Sequence, residues 1–185
     1  MRILVAGASG VLGRSTLPHL DRHEVIGLTR TGDKLQLLRD LGAEGIVCDV
    51  YDYPTLLRVA RRARPQIIVN FLTDLSAGSD EANNRVRSEG AANLLQAAKA
   101  ANAARLVVES VAFRLHGDAS RVLKQLEQST RRFPGQAVIL RFGRFWGPET
   151  LHQTPPLPPA VHIEKAGAEA SKLITHAPPG TYIVT

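Results

Sequence analysis

Cysteine is nearly missing. Cys48 stands alone in 185 residues, which excludes an intramolecular disulfide and any metal site built on several thiolates. Long apolar runs are also missing: the longest hold about six residues, against the ~20 that a membrane-crossing helix needs. No basic start followed by an apolar stretch opens the chain, so a cytoplasmic compartment is the simplest expectation. Aromatic residues make up only 5% of the chain, and no basic block exceeds two adjacent residues. A net charge of +6, with 18 arginines among 23 basic residues, therefore comes without a stacking platform or a basic tail, and nucleic acid is not an expected partner. A phosphate-bearing small ligand suits the same balance.

What is present is the make-up of one globular domain over residues 1–185, with 44% hydrophobic and 22% charged residues. Short apolar runs, Ile3–Ala6, Val25–Leu28, Gly45–Cys48, Ile67–Phe71, Leu106–Val108 and Ala137–Leu140, alternate with longer amphipathic segments. Thr181–Val184 follows the turn signal Pro179-Gly180. The runs are nearly continuous in apolar character, as buried parallel strands are. The segments between them predict helices over Val11–Leu20, Asp33–Leu41, Pro54–Arg64, Ser79–Ala103, Ala119–Arg131 and Lys165–His176. Strand and helix in alternation predict an α/β fold, a doubly wound parallel sheet of about seven strands. Asp52 ahead of Pro54 suits a helix start, and Pro65 stops that helix. Five prolines among the fourteen residues of Gly147–Ala160 predict a stiff loop.

The strongest chemical signal follows the first strand, where Gly7-Ala8-Ser9-Gly10-Val11-Leu12-Gly13 leads into a helix. Gly7 permits the tight exit from the strand, Gly10 lets main-chain amides approach a diphosphate, and Gly13 lets the helix lie close to the sheet. Amides and dipole at that helix start favour an anion, so Ser9, Val11 and Leu12 join the three glycines as candidate cofactor contacts. At the end of the second strand a carboxylate would select NAD by binding the adenosine ribose 2′-hydroxyl. Thr29 and Arg30 stand there instead, with Arg14 expected near the same pocket, and two guanidiniums with a hydroxyl favour NADP. Asp33 keeps NAD open as the alternative. Asp49, just past the third strand, is placed to accept from the adenine amine, or to serve only as a turn residue.

These residues resemble the extended or atypical short-chain dehydrogenases/reductases, the NAD-dependent epimerase/dehydratase family. The resemblance rests on the glycine turn, on Cys48-Asp49-Val50, on Asn70-Phe71-Leu72-Thr73, and on Asn84-Arg85-Val86 followed by Gly90-Ala91-Ala92-Asn93-Leu94-Leu95. It implies a Rossmann fold, Val50 beside Asp49 at the adenine, and Phe71 and Leu72 beneath the cofactor. It also implies a Ser or Thr after the fifth strand and a Tyr-x-x-x-Lys on the next helix. Aligning His116-Gly117 with the family's Tyr-Gly pair puts the hydroxyl position on Ala112, with Ser110 two residues earlier. The following helix keeps Lys124, expected by the nicotinamide ribose, but has Ser120 in place of Tyr. An aliphatic hydroxyl is a far weaker acid than the phenol, so His116 becomes the substitute proton carrier. The candidate catalytic set is therefore Lys124, Ser120, Ser110 and His116, with no metal.

The family's substrate-binding helices shrink here to the proline-rich loop, beside which Phe142, Phe145, Trp146 and His152 are candidates for an apolar wall. The resemblance further implies a homodimer through helices 79–103 and 119–131. Three functions fit: an NADP-dependent oxidoreductase or epimerase acting on a small carbonyl or alcohol; a noncatalytic dinucleotide-binding sensor or regulator; and a redox-neutral isomerase or cyclase.

Overall fold

In a computed structural model the chain is described over residues 1–74 and 80–185. Its strands are β1 (Arg2–Ala6), β2 (Glu24–Thr29), β3 (Glu44–Val47), β4 (Ile67–Asn70), β5 (Arg105–Val111), β6 (Gln136–Phe142), β7 (Arg144–Trp146), β8 (Ala160–His162) and β9 (Gly180–Val184). Seven of them form one sheet in the order β3-β2-β1-β4-β5-β6-β9, every neighbour parallel. This is the doubly wound arrangement the sequence predicts, with each strand run found within a few residues of its expected bounds.

The helices follow their local chemistry. The first, α1 (Val11–Thr16), tightens into a 3₁₀ turn over Leu17–Leu20 where Pro18 removes a donor. A 3₁₀ turn, Gly32–Lys34, opens α2 (Leu35–Asp40). In α3 (Tyr53–Ala63), Asp52 caps the start by accepting from the Thr55 amide at 3.2 Å, and Arg64 closes the end at φ 46° just before Pro65. The long helix expected over 79–103 is found as α4 (Asp80–Arg85), a π-helical turn over Val86–Gly90, and α5 (Ala91–Ala100); Ser79 lies outside the described residues. The remaining helices are α6 (Gly117–Arg131) and α7 (Ile163–His176).

Strand alternation divides the core in two. Ile3, Val5, Val107, Leu140 and Phe142 face α1, α2 and α7, whereas Leu4, Ile26, Ile68 and Val108 face α3, α5 and α6. Gly167 of α7 lies so close to α1 that a Cβ there would strike the Ser15 carbonyl, and the Ser15 hydroxyl donates to the Ile163 carbonyl at 2.8 Å. One expectation is corrected at the proline-rich segment: it is framed by strands, because β7 and β8 pair in parallel, and Ala160 belongs to the second of them.

Candidate nucleotide-binding site

β1 ends against a turn in which each glycine has a different reason to be glycine. Gly7 takes φ +83°, and a Cβ on it would stand 2.5 Å from the Phe71 carbonyl oxygen. A Cβ on Gly13 would strike the carbonyls of Gly7 and Ala8. Gly10 is exposed, donates to the Gly7 carbonyl at 3.0 Å, and its Cβ would meet nothing but that same oxygen, at 3.2 Å. The chain thus leaves open the space over Gly10 that a side chain would fill and a diphosphate would enter. Ser9 lies in the turn, and the first helical amides, Val11 and Leu12, follow directly.

Around this cradle the strand ends carry the other candidate contacts. Thr29 is buried, its hydroxyl donating to the Thr31 carbonyl at 3.2 Å. Arg30 is 61% exposed, with Nη1 3.4 Å from an Asp74 carboxylate oxygen. Since β2 and β4 flank β1, this pair reaches across the end of the first strand. Arg14 does not join it. Its guanidinium lies 2.8 Å from the Glu149 carboxylate, on the proline-rich segment, so Arg14 is engaged there and not with the Arg30 and Asp74 pair. Asp49 is exposed and accepts from the Tyr51 amide at 2.9 Å, while Val50 is buried and its carbonyl accepts from the Asn93 side-chain amide at 2.9 Å. Phe71 is buried with its amide on the Ala6 carbonyl at 2.9 Å, and the Leu72 amide donates to the Asn70 side chain at 3.1 Å.

The catalytic candidates separate. Ser110 is 0% exposed and donates to the Glu127 carboxylate at 2.7 Å. Alternation places it with Leu106 and Val108 on the α6 side, where it is a structural donor and not a group open to substrate. Glu127 also accepts from Arg141 at 2.8 and 2.6 Å and from Arg131 at 2.8 Å. Burial alone would raise its carboxyl, but the hydrogen bonds from Arg141, Ser110 and Arg131 outweigh it and hold the group at about 2. His116, Ser120 and Lys124 do come together, in a shallow cleft lined also by Arg114 and Arg121, and none of its lining belongs to the glycine turn. Leu123 and Glu127 turn toward the core, which leaves Lys124, about 100° further round the helix, exposed.

Two further charged residues, besides Glu127, escape the sequence reading. Ala6, Asn70 and Val108 share a register row, so Glu109 falls in the next row, level with Gly7 and Phe71. Burial pushes its carboxyl up to about 7, against the opposing pull of Arg87. The signal was a carboxylate one residue past an apolar strand run. Arg87 is 8% exposed on the π turn. Its signal was the stripe it shares with Ala91, Leu94 and Ala98, all buried.

A parallel sheet whose first crossover carries a three-glycine turn is the Rossmann arrangement. The chain belongs to the NAD dependent epimerase/dehydratase family, whose sequence model matches residues 3–113. A 3-diazoavenalumate denitrifying reductase from a Streptomyces species is 31% identical, and the match covers 81% of this chain and 58% of that protein. This chain therefore spans little more than half the length of that relative. The Bordetella bronchiseptica enzyme WbmG, solved in complex with NAD, superposes with a TM-score of 0.81 at 19% identity, over 100% of this chain and 72% of that one. The Thermus thermophilus UDP-glucose 4-epimerase, also with NAD, gives 0.78 at 18%, over 100% and 77%. Among the described residues no helix is long and apolar enough to cross a membrane, and no group of three or more His, Cys, Asp or Glu side chains is placed to hold a metal.

Proposed function

We propose that the chain is an NADP-dependent oxidoreductase acting on a small carbonyl substrate. The observation that carries this reading is the unfilled space over Gly10, between two glycines whose own surroundings admit no side chain. The turn Gly7–Gly13 would hold the diphosphate through main-chain nitrogens, and Asp49 and Val50 would lie beside the adenine. Arg30 would meet the 2′-phosphate, with the buried Thr29 shaping the turn behind it through Thr31, and Phe71 and Leu72 beneath the nicotinamide ribose. The coenzyme, when bound, exchanges a hydride. The name of the Streptomyces relative supports a reductase, and the NAD in the solved neighbours supports a nicotinamide coenzyme.

If Ser120 stands where the family carries its Tyr, as the resemblance implies, Glu109 is a better proton holder than Ser120 or Lys124. At about 7 its carboxyl is half protonated at neutral pH, and its register row is that of the glycine turn. Fluorescence titration with NADPH and NADH tests the coenzyme reading. NADPH should bind the more tightly; Arg30→Ala should weaken NADPH about tenfold and leave NADH within twofold, a loss of one charge-assisted contact. Gly10→Val should abolish both, and absence of binding by the unaltered chain overturns the proposal. In turnover assays over a carbonyl panel, the pH profile should inflect near 7 and lose that inflection in Glu109→Gln.

The commitment of Ser110 to Glu127, with Ala112 at the hydroxyl position, favours a second reading, a noncatalytic NADP-binding sensor or regulator. Tight coenzyme binding without turnover of any carbonyl selects it.

A further inference from the structure

Arg87 lines a cavity of about 370 Å³ on the α5 and α6 side of the sheet. It is more than nine-tenths buried, and among the described residues its guanidinium forms no hydrogen bond or ion pair. Asp80 and Glu109 lie within electrostatic reach of it without bonding to it, and burial keeps Glu109 only partly ionised near neutral pH. A guanidinium has five donors and cannot shed its charge, and the Arg87 nitrogens are not sealed in the interior but open onto the cavity, where an anion would pair with them more strongly than water does. The rest of the wall limits which anion. It is mixed, with Leu94, Val108 and Leu126 apolar, Asn70, Gln125 and Ser129 polar and uncharged, and no carboxylate among the lining, so a ligand with both an anionic end and an apolar part matches it better than a bare inorganic ion. The π turn that carries Arg87 is an uncommon geometry, frequent at functional sites.

We infer that this cavity binds a small organic acid, its carboxylate on the Arg87 guanidinium and its apolar body against Leu94, Val108 and Leu126. A planar guanidinium and a carboxylate match in a two-bond fork, which gives both affinity and orientation. The inference is independent of the coenzyme.

Benzoate and its uncharged counterpart benzamide, titrated into the full chain by calorimetry and by amide NMR, separate charge recognition from apolar filling. Benzoate should bind at least tenfold more tightly than benzamide, with shifts centred on Val86–Leu95 and Val122–Thr130. Arg87→Gln should reduce benzoate to the benzamide level while NADPH titration remains as in the parent chain. If Arg87→Gln does not fold, as judged by circular dichroism, Ala92→Trp at the exposed part of the lining should exclude benzoate instead. Equal affinity for the two probes, benzoate binding retained in either folded variant, or shifts confined to the His116–Lys124 cleft would each overturn the inference. So would a dimer, seen by light scattering, that excludes benzoate and dissociates on Arg87→Gln.

Discussion

Glu127 and Glu109 stand on one strand-helix unit and titrate in opposite directions. Glu127, held at about 2 against an ordinary value of 4.5, contributes stability fully present above pH 4.5 and lost as pH falls toward 2. A shift of this size corresponds to about 3 kcal/mol. Glu127→Gln should cost roughly that much at pH 7, because three donors lose a charged acceptor, and the difference should close by pH 2. Urea unfolding at a series of pH values measures it. Glu109 is raised from 4.5 to about 7, so the folded state holds its proton longer than the unfolded one and stability falls as pH rises through that window. Glu109→Gln should therefore be the more stable chain above pH 7, by on the order of 1–3 kcal/mol, while losing turnover. Little of this was legible from residues alone. The sequence shows a serine near the end of the fifth strand, but which face it takes, and that Glu127 waits there, depends on how α6 is phased against the sheet. Arg87 was closer to legible, since a charge within an alanine and leucine stripe must be buried if the stripe is.

Elements were read best where local chemistry decides them. Asp52, Pro54 and Pro65 mark both ends of α3 because capping and proline act within one turn. The pair β7 and β8 was not foreseen: three residues are too few for a periodic signal, and the prolines between them suggest only irregularity. The π turn was hidden for the same reason, as one widened turn leaves the helical pattern on either side intact. Contact between elements also sets the tolerance of α7 to substitution. Gly167→Ala should drive the new methyl into the Ser15 backbone and lower stability by about 1–3 kcal/mol, read as a lowered midpoint in thermal unfolding. Gly32, around which there is open space, is the matched control.

At the scale of the molecule, the doubly wound parallel sheet and the family were both visible in the alternation of apolar runs and in the opening glycines, whereas the order of the strands was not. Self-association is a matter of surface instead. The large apolar side chains that are exposed among the described residues are Met1, Val47, Leu151, Leu157 and Ile183, none of them on α5 or α6. Pairing through those helices would find no large apolar side chain fully exposed on them, so light scattering at micromolar concentration should return a mass near the 20.1 kDa of one chain. The exposed apolar residues point elsewhere. β9 is an outermost strand, carries no charged residue, and shows Ile183 to solvent at 67%. An unguarded border of this kind offers its free main-chain groups to any extended peptide that meets it. Crowding and refolding are thus the conditions under which this protein should stick to itself, and a lysine at 183 would be the natural repellent.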